Sequence, residues 1–268
     1  MHDTSVAAAL DPTAPWLALQ RPLLPLLAQA DWPAALSRGA ARRGVRTAAG
    51  LPVRFVPPQD AGATAYEAHI AATGRVPTRA GGAGALHDAG NALMWLALPR
   101  SKAALNARQA AELARAGVAA TRGAVRDAAT LLDESGLLLA CGDNAVLQMA
   151  ATALAGHDWQ RLLVEHRPAW GRTLVPWLLG HALLEKLARP YKAITATVLL
   201  VRADAPGTAA AVDAAAAAGL YAAPLQSRRL PRLPVLGIPG WWAANAAASF
   251  YDDPQVFRPA RPLATAGG

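Results

Sequence analysis

The stretch Ala85–Pro99, ALHDAGNALMWLALP, constrains this chain more than any other. Beyond its head it is apolar on every face of a helix, and such a helix is covered by neighbours on all sides. The chain must therefore build a core thick enough to surround it. Yet the head carries His87, Asp88 and Asn91, and buried polar groups need partners. Either these side chains satisfy one another and nearby backbone, or they form a site.

A chain of 268 residues with 53% hydrophobic and only 16% charged residues has the material for such a core. Much of that material is alanine, so eight tryptophans supply the bulk. The net charge is +8, and of 26 basic residues only Lys102, Lys186 and Lys192 are lysine, so 23 are arginine. Arginine rises together with Ala, Gly and Pro, as high-GC coding produces. Its planar fork also suits phosphate and carboxylate partners. The single cysteine, Cys141, excludes an intramolecular disulfide and a Cys-rich zinc ribbon. The opening MHDTSVAAALDPTAPW lacks the order of a signal peptide. The apolar helix candidates carry His, Glu or Asn and are too short for a bilayer. A soluble cytoplasmic protein with no membrane partner is expected, and nothing in the sequence sets its oligomeric state.

Along the chain, residues 1–60 are rich in Pro and Arg, with short helices expected at Trp16–Gln29 and Trp32–Arg43. LPVRFVPP reads as a short strand, and TAYEAHIAATG as a helix ending at Gly74. SKAALNARQAAELARAG reads as a helix capped by Ser101 and stopped at Gly117. AATLLDESGLLLAC reads as a hairpin, with Asp127 on its entering strand and a turn at Asp133–Gly136. Helices follow at Asn144–Ala155, Trp159–Glu165 and Pro176–Ala188, then the strand ITATVLLVRA and an Ala-rich helix. The expected fold is α+β, a mainly helical single domain with a small antiparallel β-sheet. Residues 1–60 pack on a domain spanning 61–268.

The helix expected at Pro176–Ala188 repeats the pattern of the opening stretch. His181 and Glu185, four apart, share one face of an apolar helix, and Glu is rarely fully buried unless paired. Two apolar helices that each carry a His and an oxygen donor can converge on a metal. His87, Asp88 and His181 are the candidate ligands for a divalent ion (Zn, Mn or Fe), and Glu185 is a further ligand or the base. Asp133 and Glu134 add carboxylates. Arg100, Lys102, Asn91 and Trp241 are candidate substrate-binding residues, the two cations for an anionic small molecule. The structural alternative has His87 and Asp88 capping their helix and His181 and Glu185 bonded to each other or to Arg126. No His-Glu-x-x-His spacing, phosphate-binding loop or Gly-x-Ser-x-Gly elbow is present.

Several blocks together carry a resemblance: YEAHIAATGRVPTR, LHDAGNALMWLALPRSKAALN, RGAVRDAATLLDESG, GHALLEKLARPYKA, LPVLGIPGWWAAN and FYDDPQVFRPAR. They resemble the bacterial family known as domain of unknown function 3025, from about Tyr66 to Arg261. The resemblance implies one family domain and no particular reaction. His69 lies outside the family pattern. The residues favour a metal-assisted hydrolase acting on an anionic substrate. The alternative is a non-catalytic protein binding nucleic acid or another polyanion through Arg42, Arg43 and Arg46, and Arg228, Arg229 and Arg232.

Overall fold

The computed structural model describes residues 5–62, 64–116, 124–222 and 225–259. Its helices are α1 (Leu24–Leu27), α2 (Trp32–Arg42), α3 (Tyr66–Thr73), α4 (Ala85–Ala97), α5 (Pro99–Ala116), α6 (Ala124–Ser135), α7 (Asn144–Gly156), α8 (His181–Leu187) and α9 (Ala209–Ala222). Its strands are β1 (Arg54–Val56), β2 (Arg75–Pro77), β3 (Gly136–Cys141), β4 (Leu174–Leu178), β5 (Thr195–Arg202) and β6 (Arg232–Pro234). The fold is α+β and mainly helical.

The sequence GLLLAC explains the layering. Every residue of β3 is buried. Leu137, Leu139 and Cys141 enter one apolar cluster, while Leu138 and Ala140 enter a second on the opposite face. A strand covered on both faces reads as a continuous apolar run. It is an inner strand of a sheet ordered β4-β3-β5-β6, antiparallel to β4 and parallel to β5, with β6 antiparallel to β5. A separate parallel pair joins β1 to β2. The helix α4, buried almost throughout, packs against α8 and α2.

The N-terminal segment shares this core: Leu17, Leu23, Leu27 and Leu36 join the cluster that holds Leu93 and Met94. Buried Gln20 donates from Nε2 to Leu178 O at 3.2 Å and ties the segment to the end of β4. Instead of one helix over Trp16–Gln29, this region forms 3-10 turns and the short α1. Pro22 and Pro25 lack the N–H groups that a longer helix needs.

Three other expectations are corrected. AATLLDESGLLLAC is not a hairpin: its first half is α6 and only its second half is a strand. Ala128, Ala129 and Leu132, all fully buried, fall on one helical face. The Asp-Glu-Ser-Gly run closes a helix and turns it sharply into a strand. Pro176–Ala188 is likewise two elements, because LVPWL pairs with β3 as an edge strand, where a residue without N–H is tolerated. The helix begins only at His181, so Trp177 does not share its face; its Nε1 donates to Pro206 O at 2.9 Å. Ser101 does not cap α5, which starts at Pro99. The cap comes from α9, where buried Asp213 accepts from Arg100 N at 2.9 Å, Ser101 N at 2.8 Å and Ser101 Oγ at 2.7 Å. A carboxylate there also faces the positive end of the helix dipole. Gly117 lies outside the described residues. Gln160–Glu165 forms a short π-helical segment.

Candidate functional site

Backbone contact at one end of the β3–β4 ladder builds the site. Beyond the pair Leu137–Leu178, Leu179 N and Gly180 N both donate to Gly136 O, at 3.1 and 2.8 Å. A Cβ on Gly180 would lie 2.4 Å from Gly136 N and 2.6 Å from Glu134 O, and one on Gly136 would lie 2.2 Å from Leu132 O. Two glycines thus let the chains touch backbone to backbone. The contact sets the last turn of α6, Asp133 and Glu134, beside the first residue of α8, His181. Helix α4 crosses α8 at Gly90, where a Cβ would come within 3.2 Å of His181 O. That close crossing brings His87 over His181.

The two rings meet edge to face with centroids 4.5 Å apart, and His87 Nε2 lies 3.1 Å from His181 Nε2. Behind each ring stands a carboxylate. His87 Nδ1 is 3.0 Å from Glu185 Oε2, and His181 Nδ1 is 4.0 Å from Asp133 Oδ2. Glu134 Oε2 approaches from the side, 3.6 Å from His181 Nε2. His87, Glu134 and His181 offer one ligand atom each within 4.8 Å of one another. Lys102, only 2% exposed, forms an ion pair with Asp133 beneath the rings and lies 5.8 Å from the centre of the Trp95 ring.

Burial pushes His181 down to about 4, with Asp133 opposing and Lys102 and His87 reinforcing the fall. Burial also works to raise Asp133, but Lys102, His181 and His87 outweigh it and hold its carboxyl below the usual range. Glu134 is raised, first by burial and then by Asp133 and Glu185, against the pull of His87 and Lys102.

These groups open on a cavity of about 230 Å³ that is also lined by the neutral polar Tyr66, Asn91, Gln109 and Thr130 and by the charged Glu67, Arg79 and Asp88. Tyr66 keeps its ring edge at the surface and turns its hydroxyl inward, where Asn91 Nδ2 donates to it at 2.8 Å. Burial of that hydroxyl, with Asp133 and Asp88 nearby, raises its pKa. Asn91 Oδ1 is buried without a partner.

The expected residues therefore separate. His87, Asn91, Asp133, Glu134, His181 and Glu185 gather in one place. Asp88 turns away from the imidazoles, because Arg79 holds it with its backbone N and Nε at 2.7 Å and Nη2 at 2.8 Å. Gly84, at φ +92°, makes room for that guanidinium: a Cβ would lie 2.4 Å from Arg79 Cζ. Lys102 is committed to Asp133 and not placed at a rim. Arg100 is exposed at the α9 end of α5 and does not line the cavity. Trp241 is buried beside Trp16, with ring centres 6.2 Å apart. Tyr66 and Arg79 were missed. Tyr66 had only a helix start as signal, and Arg79 only its place before the glycine loop.

The family model described as "Protein of unknown function (DUF3025)" matches residues 53–261. No curated protein and no solved structure matches the chain.

Proposed function

The chain belongs to the DUF3025 family, and as that membership carries no reaction, we propose from the site itself a metal-dependent hydrolase acting on a small substrate. One observation carries the reading. Two imidazole Nε2 atoms face each other at 3.1 Å, each ring with a carboxylate at its Nδ1 side. Glu185, within hydrogen-bond distance, favours the Nδ1–H tautomer of His87 and turns its Nε2 lone pair inward, while Asp133, at 4.0 Å, gives His181 Nδ1 a charge but no hydrogen bond. Facing lone pairs need a proton or a cation between them. A zinc–imidazole bond is roughly 2.0–2.1 Å, so two such ligands on one ion sit about 3 Å apart.

His87, His181 and Glu134 are the ligands in this reading, and Glu185 and Asp133 stand behind the two imidazoles. Two His and one carboxylate leave positions open for water and substrate. Bound there, a divalent ion supplies a water acidified toward neutral pH. Hydrolysis adds that water across the scissile bond: its oxygen joins the electrophilic atom, and a proton leaves with the departing group. Tyr66, already accepting from Asn91, keeps its own hydroxyl proton to donate to the developing negative charge.

The charge around the cavity bears on the substrate. Arg79 is spent on Asp88, Lys102 on Asp133, and Arg126 lies 4.0 Å from Glu67. An anionic substrate, expected from Arg100 and Lys102, gains no cation from either and would depend on the metal for its charge.

Metal analysis of protein purified without a His tag tests the reading. One transition-metal ion per chain, lost in His181→Ala, is the expected result. A ligand at about a hundredfold its dissociation constant adds roughly 2.7 kcal/mol to the folded state, a readily visible rise in Tm. If the protein carries no stoichiometric metal and no Zn, Mn or Fe(II) raises its Tm, the reading falls.

A further inference from the structure

A second surface, apart from the metal ligands, is built for a different kind of partner. Helix α2 and strand β1 pack side by side and leave two adjoining cavities between them, about 670 and 430 Å³. The cavities share Ser37, Arg38 and Arg54 in their walls, so they form one groove, and Arg46 lines its far end. Arg42 stands one turn along α2 from Arg38, and Arg43 follows it. All five arginines are exposed. None has a carboxylate within ion-pair distance among the described residues, and Arg38 and Arg46 donate to neutral oxygens, Gln29 Oε1 and Gly50 O. The one carboxylate in the walls, Asp31, already accepts the Ala34 N–H as the cap of α2.

Three exposed arginines in the walls, Arg38, Arg46 and Arg54, with Arg42 and Arg43 beside them and Asp31 the one carboxylate, leave the groove with a net positive charge. We propose that this groove binds the sugar–phosphate backbone of single-stranded nucleic acid. Arginine forks match phosphate oxygens in pairs. A groove between one helix and one strand suits a single extended backbone better than a duplex. A bilayer is the poorer fit: it presents a flat surface, and the exposed large hydrophobic residues, Tyr66, Tyr191 and Tyr221, lie outside the groove. No exposed aromatic side chain lines the groove as a stacking platform, so recognition runs through phosphate and is indifferent to base sequence.

Fluorescence anisotropy of the full chain with a labelled 20-nucleotide oligo-dT tests this. If about four phosphates are neutralised, the log–log salt slope is near −0.7 per phosphate. Affinity then falls about 50-fold between 50 and 200 mM salt. The decisive comparison is between Arg38→Glu with Arg54→Glu and Arg228→Glu with Arg229→Glu, two exposed pairs with the same change in charge. The groove pair is expected to lose at least tenfold in affinity, and the other pair less than threefold. Arg46→Glu, in the groove wall, with Arg42→Glu beside it repeats the test should the first variant fold poorly. Equal losses in the groove and control pairs would reduce the effect to net charge and overturn the proposal. Undetectable binding at 50 mM salt, tighter binding of a matched duplex, or capture by phosphatidylserine vesicles without oligo-dT binding would overturn it as well.

Discussion

Asn245 and Asn91 are both buried asparagines beside a tyrosine hydroxyl, yet their hydrogen bonds are finished differently. Asn245 Nδ2 donates to Leu236 O and Ile238 O at 2.8 and 2.7 Å, and its Oδ1 accepts from Arg167 Nη2 at 3.2 Å. Arg167 Nη1 also reaches Asn245 O, and Tyr251 donates to Gly237 O, so this knot pins the C-terminal strap to the core. Asn91 makes one bond, to Tyr66, and its buried Oδ1 has no protein partner. Buried polar groups built for stability are saturated. An acceptor that no protein group satisfies, in the wall of a polar cavity, is free to take a hydrogen bond from a donor that enters it.

The largest expected effect lies in the saturated knot. Asn245→Ala strands two carbonyls and part of the Arg167 guanidinium in the interior, and each unsatisfied group costs about 1–3 kcal/mol. A loss of about 3 kcal/mol or more is expected from denaturant melts. A loss below about 1 kcal/mol would erase the contrast.

Acid titration of the metal-free protein comes next. Burial pushes His181 down to about 4 in the fold from the ordinary 6.5 of an unfolded chain, and Asp133, Lys102, His87 and Glu134 surround it there. Between those values the unfolded chain binds more protons, so stability rises with pH across the window and is lost as pH falls from about 6.5 toward 4. The loss is up to about 3 kcal/mol, at ~1.4 kcal/mol per pKa unit. Glu134, raised in the fold, works the other way just above 4.5 and trims it. His181→Ala should flatten this stretch of the stability–pH curve. An unchanged slope in that variant would assign the acid sensitivity elsewhere.

Glu185→Gln sharpens the comparison from the side of function. Glu185 is partly exposed and touches the site through His87 Nδ1. Removing its charge while keeping its shape should weaken metal binding about 10–100-fold, as outer carboxylates do. Metal-free stability should move by less than about 1 kcal/mol. Competition with a chelator reads the first quantity and thermal melts the second. A large stability loss with unchanged metal affinity would make the pair structural.

How much of this was legible follows from what a local pattern can report. His87, His181 and Glu185 stood out because polar residues in apolar helices are rare, and that signal survives any fold. The span Asp133–Gly136 was misread because Asp, Ser and Gly satisfy a hairpin turn and a helix end by the same local chemistry. Only the buried face Ala128–Ala129–Leu132 separates the two, and both halves of that stretch are apolar. LVPWL and HALLEKL merged for a similar reason, since apolar runs have no period of their own and only pairing with β3 splits them at Gly180. The Asp213 cap on α5 and the Arg79 grip on Asp88 depend on partners brought together by the fold: Asp213 is more than a hundred residues from Ser101, and Arg79 reaches across a glycine loop. Sequence spacing carries no signal for the first, and for the second only Gly84 hinted at a close approach.

The smallest effect is the sharpest test of the opening contrast. Asn91→Ala removes a buried amide just as Asn245→Ala does, from a position equally enclosed. It deletes one hydrogen bond, to Tyr66, which contributes about 1 kcal/mol net. It also deletes a buried oxygen that has no partner and whose desolvation opposes folding by about 1–3 kcal/mol. The small volume left opens onto the cavity and can fill with water. These terms oppose one another, so the substitution should shift metal-free stability by less than about 1 kcal/mol in either direction. Metal affinity should hold, since Asn91 lies outside the His87–Glu134–His181 group. A cost matching that of Asn245→Ala would mean that Asn91 is as well bonded in solution as Asn245, and the contrast between the two would fail with it.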